Sequence, residues 1–544
     1  MNQLFYGDNL EVLRQSIPDE SVDLVYLDPP FNSNRNYNVL FGHHVATGGD
    51  DAAQIQAFGD TWVWTPTTDQ QFAGLMAGEI PAKAADALSA FRALLDRNDA
   101  MAYLVNMTPR LVELHRVLKP TGSLYLHCDP TMSHYLKIML DAVFGPANFR
   151  NDIVWKRKAG RGETQNAAIR FGVSNDTILF YAKSAQAKFV RQYRESNPEY
   201  IASKFTHVEE ASKRRYRLDN LTSPSPRPNL VYEYKGYNPP PNGWAVSRAR
   251  MEEMDAQNRL YLPAKKTARI QRKRYLDELE GETVDSIWDD IPPINSQAKE
   301  RLGYPTQKPV ALLERILAAS SVPDTVVLDP FCGCGTTIDA AIKLGRKWIG
   351  IDVTYIAVDL IEKRLRHTYG DDITKTYQIS GIPRDKAAAL ALFSQSPFDF
   401  ERWAVSMVDG QPNQKQVGDK GIDGVARFPL DARRTVGRVL ISVKGGRQLN
   451  PSMVRDLGGT VATQRAEMGV LITNGAPTRG MTDEANHAGT YQHPHYAEAF
   501  PRIQIITVDE LLSGKRPKMP PTMLPYIQAT RGKTPVDQGT LFDA

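Results

Sequence analysis

Apolar positions in this chain fall into short alternating or continuous runs, each closed by a residue that cannot extend a strand. Ser21-Val22-Asp23-Leu24-Val25-Tyr26-Leu27 alternates and is β-rich, which predicts a strand. It runs straight into Asp28-Pro29-Pro30-Phe31. Neither proline has an N–H to donate, so the ladder must stop there. A carboxylate, a rigid turn with free carbonyls and an aromatic ring are left at the strand's C-terminal end, where open α/β sheets bind their ligands. Far downstream, Thr325–Leu328 reads as a short buried strand, followed by Asp329-Pro330-Phe331-Cys332-Gly333-Cys334-Gly335-Thr336-Thr337. A helix is expected from Ile338 to Leu344, with Gly345 at its C-cap. Strand, Gly-rich turn and helix bring backbone close to a nucleotide-like ligand. The next strand, Trp348–Ile351, ends in Asp352, about 20 residues past the glycines, where an acid can accept from ribose hydroxyls. After Thr368 the pattern changes: Gly381-Ile382-Pro383 leads into an Ala-rich helix, and Arg438–Lys444 is a further strand.

At 544 residues the chain has room for two or three domains, and 42% hydrophobic with 24% charged residues is ordinary for a globular protein. No apolar run approaches the ~18–20 residues of a membrane span, and Met1–Leu13 does not have the form of a signal peptide. Three cysteines, Cys128, Cys332 and Cys334, cannot staple a chain of this length, so a reducing, cytoplasmic setting is expected. Cys332 and Cys334 have no second pair to complete a zinc pattern; small side chains in a crowded loop are the better account.

Charge adds a hint about partners. The whole chain is only +4, yet residues 151–280 hold 25 Lys plus Arg against 15 Asp plus Glu. Aromatics interleave there, among them Trp155, Tyr181, Tyr216, Tyr232, Tyr234, Tyr237 and Trp244. That mixture suits a phosphate backbone and exposed bases, or else a basic insertion whose aromatics form its own core.

Asp28-Pro29-Pro30-Phe31 together with Asp329-Pro-Phe-x-Gly-x-Gly-Thr-Thr resembles the amino-methyltransferases of DNA restriction–modification systems, in the β-class, permuted order. Gly7-Asp8-Asn9, Ala57–Trp62, Gly122–His127 and Tyr304-Pro305-Thr306-Gln307-Lys308-Pro309 also resemble family segments. The resemblance implies S-adenosylmethionine as cofactor and double-stranded DNA as partner. It implies a pocket lined by Asp329, Phe331, Gly333, Gly335 and Thr336, with Asp352 on the ribose. Thr306, Gln307 and Lys308 fall beside the methionine moiety, and Asp8 falls near the cofactor's adenine.

An adenine amino group is a poor nucleophile, because its lone pair is delocalised into the ring. Asp28 and the Pro29 carbonyl, accepting its two N–H bonds, would localise that pair, while Phe31 would stack on a base flipped from the duplex and Pro30 would stiffen the turn. Family members acting on cytosine usually carry Ser or Thr where Asp28 stands. The expected product is therefore N6-methyladenine, with N4-methylcytosine as the alternative, and the basic segment is expected to read the target site.

The C-terminal region resembles Mrr-like restriction endonuclease domains of the PD-(D/E)XK class, through Phe400–Trp403, Gly418–Gly424 and Arg438–Lys444. The resemblance implies Mg²⁺ on Asp423, with Glu401 as a further ligand, and Lys444 assisting the attacking water. Ser442 stands where the family usually has Glu or Gln, so a non-catalytic DNA-binding module is the rival. Gln538–Phe542 resembles short peptides that dock on sliding DNA clamps, and a homodimer is compatible with the sequence. The architecture expected is a three-layer α/β, Rossmann-like S-adenosylmethionine-dependent methyltransferase with a basic recognition insertion and a smaller α/β restriction-endonuclease-like domain. The expected boundaries are 1–375 for the methyltransferase (catalytic half 1–150, target-recognition insertion about 151–300, cofactor half 301–375), 376–395 for a linker and helix, 396–515 for the nuclease-like domain and 516–544 for a flexible tail.

Overall fold

The strand that delivers Asp28 lies at the middle of a mixed sheet. In the computed structural model the described residues are 1–30, 64–157, 172–295, 298, 300–302, 307–412, 421–430, 436–446 and 448–522, with the backbone alone for 36–41 and 53–59. Among them, nine strands form this sheet: β1 (Asn2–Tyr6), β2 (Val22–Leu27), β3 (Leu118–Cys128), β4 (Phe149–Lys156), β5 (Asn175–Ala182), β6 (Ile287–Trp288), β7 (Val326–Asp329), β8 (Lys347–Asp352) and β9 (Tyr377–Ser380). Their order is β6-β4-β5-β3-β2-β7-β8-β1-β9. Only β5 runs antiparallel, against both β3 and β4. The register Val327↔Leu24 and Leu328↔Val25 sets β7 beside β2, so two segments far apart in sequence are neighbours in space.

Alternation along β3 shows why helices cover both faces. Leu124 and Leu126 enter a buried cluster with Leu13 of α1 (Asn9–Ser16), Leu88 of α2 (Ala82–Leu95), Leu104 and Leu111 of α3 (Asp99–Val117) and Leu136 of α4 (Ser133–Phe144). Tyr125, between them, points the other way; its hydroxyl meets Ser320 Oγ of α5 (Val310–Ser320) at 2.6 Å. The glycine-rich turn leads into α6 (Thr336–Lys343), which starts two residues before the expected Ile338, and β8 leads into α7 (Tyr355–Tyr369). The result is the helix–sheet–helix layering of an open α/β fold.

Residues 191–285 form a compact unit of their own, narrower than the 151–300 expected. The reason is that β4 and β5 pair along their full length and belong to the central sheet. Within the unit, a four-stranded sheet is built from 260–261, 271–275, 215–220 and 207–208. Tyr234, Tyr237 and Trp244 are buried with Leu221, Met251 and Ile270, so these aromatics are core and are not offered to bases. Trp155 and Tyr181 are likewise buried, on β4 and β5. Many of the unit's arginines are matched: Arg214 with Asp277 and Glu278, Arg259 with Glu278, Arg274 with Asp219. Its net charge is +4, well below the surplus of the longer stretch.

The C-terminal domain starts with α8 (Lys386–Gln395) and α9 (Pro397–Ser406). Its five-stranded sheet has the order β10 (Gln411–Pro412), β11 (Gly424–Pro429), β12 (Val436–Lys444), β13 (Met468–Thr473), β14 (Ile503–Thr507). Phe400 and Trp403 of α9 pack on Val439, Ile441 and Val443 of β12. Among the described residues no helix is long and apolar enough to cross a membrane.

Candidate active site

Parallel strands deliver their last residues to one rim of the sheet. β2, β7, β8 and β1 are adjacent and co-directional, so Asp28, Asp329, Asp352 and Asp8 collect at their C-terminal ends. Together with Pro30, Phe331, Gly333 and Thr336 they line a cavity of about 550 Å³.

The glycine-rich turn has the close backbone approach its sequence requires. Gly335 has φ +76°, and a Cβ there would stand 2.9 Å from Ile361 Cγ1. The Gly333 N–H donates to Asp352 Oδ2 at 2.9 Å, while Thr354 donates its N–H and hydroxyl to Oδ1, each at 2.8 Å. Asp329 is 3% exposed; it accepts from the Phe331 N–H at 3.0 Å and the Thr337 hydroxyl at 2.5 Å. Burial, then the charges of Asp28 and Asp352, push Asp329 up to about 7, and burial pushes Asp352 up to about 6. Anionic acceptors this poorly solvated favour a cationic ligand. Cys332 and Cys334 are buried free thiols, and burial raises both pKa values.

Asp28 departs from its neighbours. Lys308 Nζ pairs with its Oδ2, whereas its Oδ1 is buried and has no hydrogen-bond partner among the described residues. Lys308 is thus placed on the Asp28 carboxylate, a role its expected place beside a methionine moiety did not include. Gln307 holds its own loop, accepting from the Leu302 N–H at 2.8 Å and donating to the Glu300 carbonyl at 2.6 Å. Asp8 caps α1 through the Leu10 N–H at 2.8 Å and pairs with Arg110 at 2.7 Å. Phe31, Thr306, the Asp60–Trp62 segment, Gly418–Lys420 and the Gln538–Phe542 peptide lie outside the described residues.

Several lining residues were not singled out in the sequence. Arg110 is buried on α3, donating to Asn9 Oδ1 at 2.6 Å, and Asn9 donates to the Pro330 carbonyl at 2.7 Å. A charge set in the apolar stripe Met107–Leu111–Leu114 was the available signal. Tyr26 lines the cavity, and its hydroxyl meets His127 Nδ1 at 3.0 Å; His127 Nε2 meets Asp176 Oδ2 at 3.2 Å. Asp399 and Arg402, from α9 of the C-terminal domain, line the cavity too.

The nuclease-like residues are arranged differently. Asp423 Oδ2 accepts from the Val443 N–H at 2.6 Å, and the Ser442 hydroxyl donates to the Gly421 carbonyl at 2.7 Å. Lys444 Nζ lies 4.0 Å from the position of a Cβ on Gly421. Among the described residues no group of three or more His, Cys, Asp or Glu is placed to hold a metal ion.

Comparison with known proteins agrees with this geometry. Residues 399–513 match the model of the NACHT-associated inactive restriction endonuclease 1 family. The chain is 32% identical over 265 residues to the type II methyltransferase M.EcaI of Enterobacter cloacae, covering 48% of this chain and 57% of that protein. It is 28% identical over 361 residues to the Mod subunit of the type III restriction–modification enzyme StyLTI of Salmonella typhimurium, covering 64% and 50%. The DNA adenine methyltransferase YhdJ of Escherichia coli K12 is 25% identical over 359 residues, covering 66% and 81%. The chain thus spans only about half the length of the first two relatives. Residues 22–363, more than half of the chain, match the N6/N4 DNA methylase model. With Asp28, Asp329, Asp352 and the glycine-rich turn inside that match, this chain belongs to the N6/N4 DNA methylase family.

Proposed function

We propose that this protein transfers a methyl group from S-adenosylmethionine to the N6 amino group of adenine in double-stranded DNA. The observation that carries the reading is the buried Asp28 Oδ1, without a partner among the described residues, in a cavity that the glycine-rich turn also lines. A buried acceptor without a donor costs about 1–3 kcal/mol, and an incoming amino group would supply the missing donor. The residues present fit the cofactor. Asp352 and Asp329 are acceptors whose raised pKa values a sulfonium charge would relieve, and Gly333, Gly335 and Thr336 leave room against the backbone, beside Phe331. When bound, S-adenosylmethionine supplies an electrophilic methyl group on a cationic sulfur.

Lys308 fixes the Asp28 Oδ2, so that Oδ1 is the acceptor left for the substrate amine. Oδ1 accepts one N–H and the Pro29 carbonyl the other, localising the lone pair on nitrogen. Oδ1 then receives the proton that the methylated nitrogen sheds. Pro30 fixes the turn geometry, and Phe31 offers the ring on which the flipped base stacks. Asp28, where cytosine enzymes of this kind usually carry Ser or Thr, favours adenine, as does the likeness to an adenine methyltransferase. Labelled S-adenosylmethionine, unmethylated DNA and nucleoside analysis test the reading; label on cytosine or none on DNA contradicts it.

For the C-terminal domain the finer reading is an Mrr-like, Mg²⁺-dependent endonuclease working through Asp423 and Lys444, which gives the chain a place in restriction–modification or defence. A second reading, a non-catalytic DNA-binding module, is favoured by one observation: Ser442, at a position that would carry a metal-binding Glu, turns its hydroxyl to the Gly421 carbonyl. Metal-dependent nicking lost in Asp423→Ala supports the nuclease; DNA binding without nicking supports the module. Binding of a 530–544 peptide to a sliding clamp tests the tail motif.

A further inference from the structure

The cavity is not built by the methylase fold alone. Asp399 and Arg402 on α9 line it beside Asp352 and Val353. A shared core holds α9 there: Tyr355 of α7 is buried with Phe400, Trp403 and Val405, and Tyr6 meets the Tyr355 ring edge-on at 6.1 Å. Lys363 of α7 bridges Asp359 and, across the junction, Asp409, each at 3.0 Å. The Arg402 guanidinium lies 4.0 Å from the Phe398 ring centroid, and its Nε is buried with no hydrogen-bond partner among the described residues. An arginine carries five donors, and a buried N–H without an acceptor destabilises a fold by about 1–3 kcal/mol unless something else satisfies it. Beside it Val353 is 61% exposed, an apolar surface directly after the ribose acid.

The sheet order fixes which part of the donor these residues meet. β7 lies between β2, which ends at Asp28, and β8, which ends at Asp352. The methyl group must reach Asp28, so the adenosine half falls toward β8 and β1, about 10 Å away at the usual strand spacing. Asp399 and Arg402 stand at that end; the Tyr6 phenol, at the tip of β1, is in the field of Asp399, Arg402 and Asp352 together.

We propose that the restriction-endonuclease-like domain completes the methyl-donor site: Arg402 donates to the acceptors of the adenosine half, and Asp399 accepts from its amino or hydroxyl donors. The inference rests on the methyltransferase reading. It makes donor occupancy and the docking of the C-terminal domain thermodynamically coupled, since a ligand held by both parts stabilises their junction.

Calorimetric titration of the full-length chain tests this without reference to catalysis, with S-adenosylhomocysteine and 5′-methylthioadenosine, which lacks the amino-acid half, as probes. Arg402→Gln and Asp399→Asn are compared with wild type, their folds checked by circular dichroism and ligand-free thermal unfolding. The expected result is that Arg402→Gln weakens both ligands by about tenfold or more and by the same factor, with a smaller parallel loss for Asp399→Asn, about 1.4 kcal/mol being tenfold. If Arg402→Gln does not fold, Asp399→Asn carries the test alone. Folded variants that bind both ligands as wild type does overturn the inference and leave the methyltransferase standing. Loss confined to S-adenosylhomocysteine overturns the assignment to the adenosine half. A wild-type chain that binds neither ligand overturns both readings.

Discussion

Asp329 and Asp352 are acids held in a place that does not suit their charge. Both have pKa values raised above the ordinary 3.8, to about 7 and about 6, by burial first and, for Asp329, by neighbouring carboxylates. At these two sites the folded chain therefore binds more protons than the unfolded one between roughly pH 4 and 7, and their contribution to ligand-free stability falls as pH rises through that window. Asp329→Asn should flatten this slope, removing on the order of 2 kcal/mol of the wild type's loss between pH 5 and pH 8. Denaturant titrations at the two pH values measure it; an unchanged slope contradicts the burial account. Asp28 and Asp329 were legible in the sequence because each ends a strand beside proline, and Asp352 because it ends the next strand about 20 residues past the glycines. Lys308 was only half legible: its motif marked it, but its partner lies 280 positions away, and no local pattern encodes that pairing. Arg110 and Arg402 were not legible as site residues, because what makes them so is the packing of α3 and α9 against the rim.

Elements carry the site through a few junctions. Gly335 is one, with a left-handed φ and Ile361 against it; Gly335→Ala should cost about 1–2 kcal/mol in ligand-free stability and weaken S-adenosylhomocysteine binding, as urea midpoints and calorimetry would report. Arg110 joins α3 to the cap of α1 through Asp8 and Asn9. Arg110→Met should cost about 2 kcal/mol in the same denaturation experiment, less than the 3–5 typical of a fully buried pair, because the Asp8 side chain is 44% exposed. β2, β7, β8 and β12 follow directly from alternation and breakers. β4 and β5 were hidden inside the basic, aromatic stretch from 151, and what marks them as sheet is the near-continuous apolar run Thr177–Ala182. Surplus charge is a property of composition, and composition does not tell a sheet edge from an insertion.

At the scale of the whole molecule the division of labour can be cut apart. Strands 193–194 and 282–283 pair, so the 191–285 unit enters and leaves at one place and can be replaced by a short linker. The shortened protein should bind S-adenosylhomocysteine as wild type does and lose sequence-specific DNA methylation; loss of both would mean the unit supports the catalytic fold itself. The central claim is tested most directly by incubating the purified protein with labelled S-adenosylmethionine and unmethylated genomic DNA, followed by nucleoside analysis, with Asp28→Ala alongside. The account predicts label in N6-methyladenine and a fall of at least about 10²-fold in the variant, the scale seen when a transition-state hydrogen-bonding group is removed. Equal methylation by Asp28→Ala, or label on cytosine alone, would contradict it.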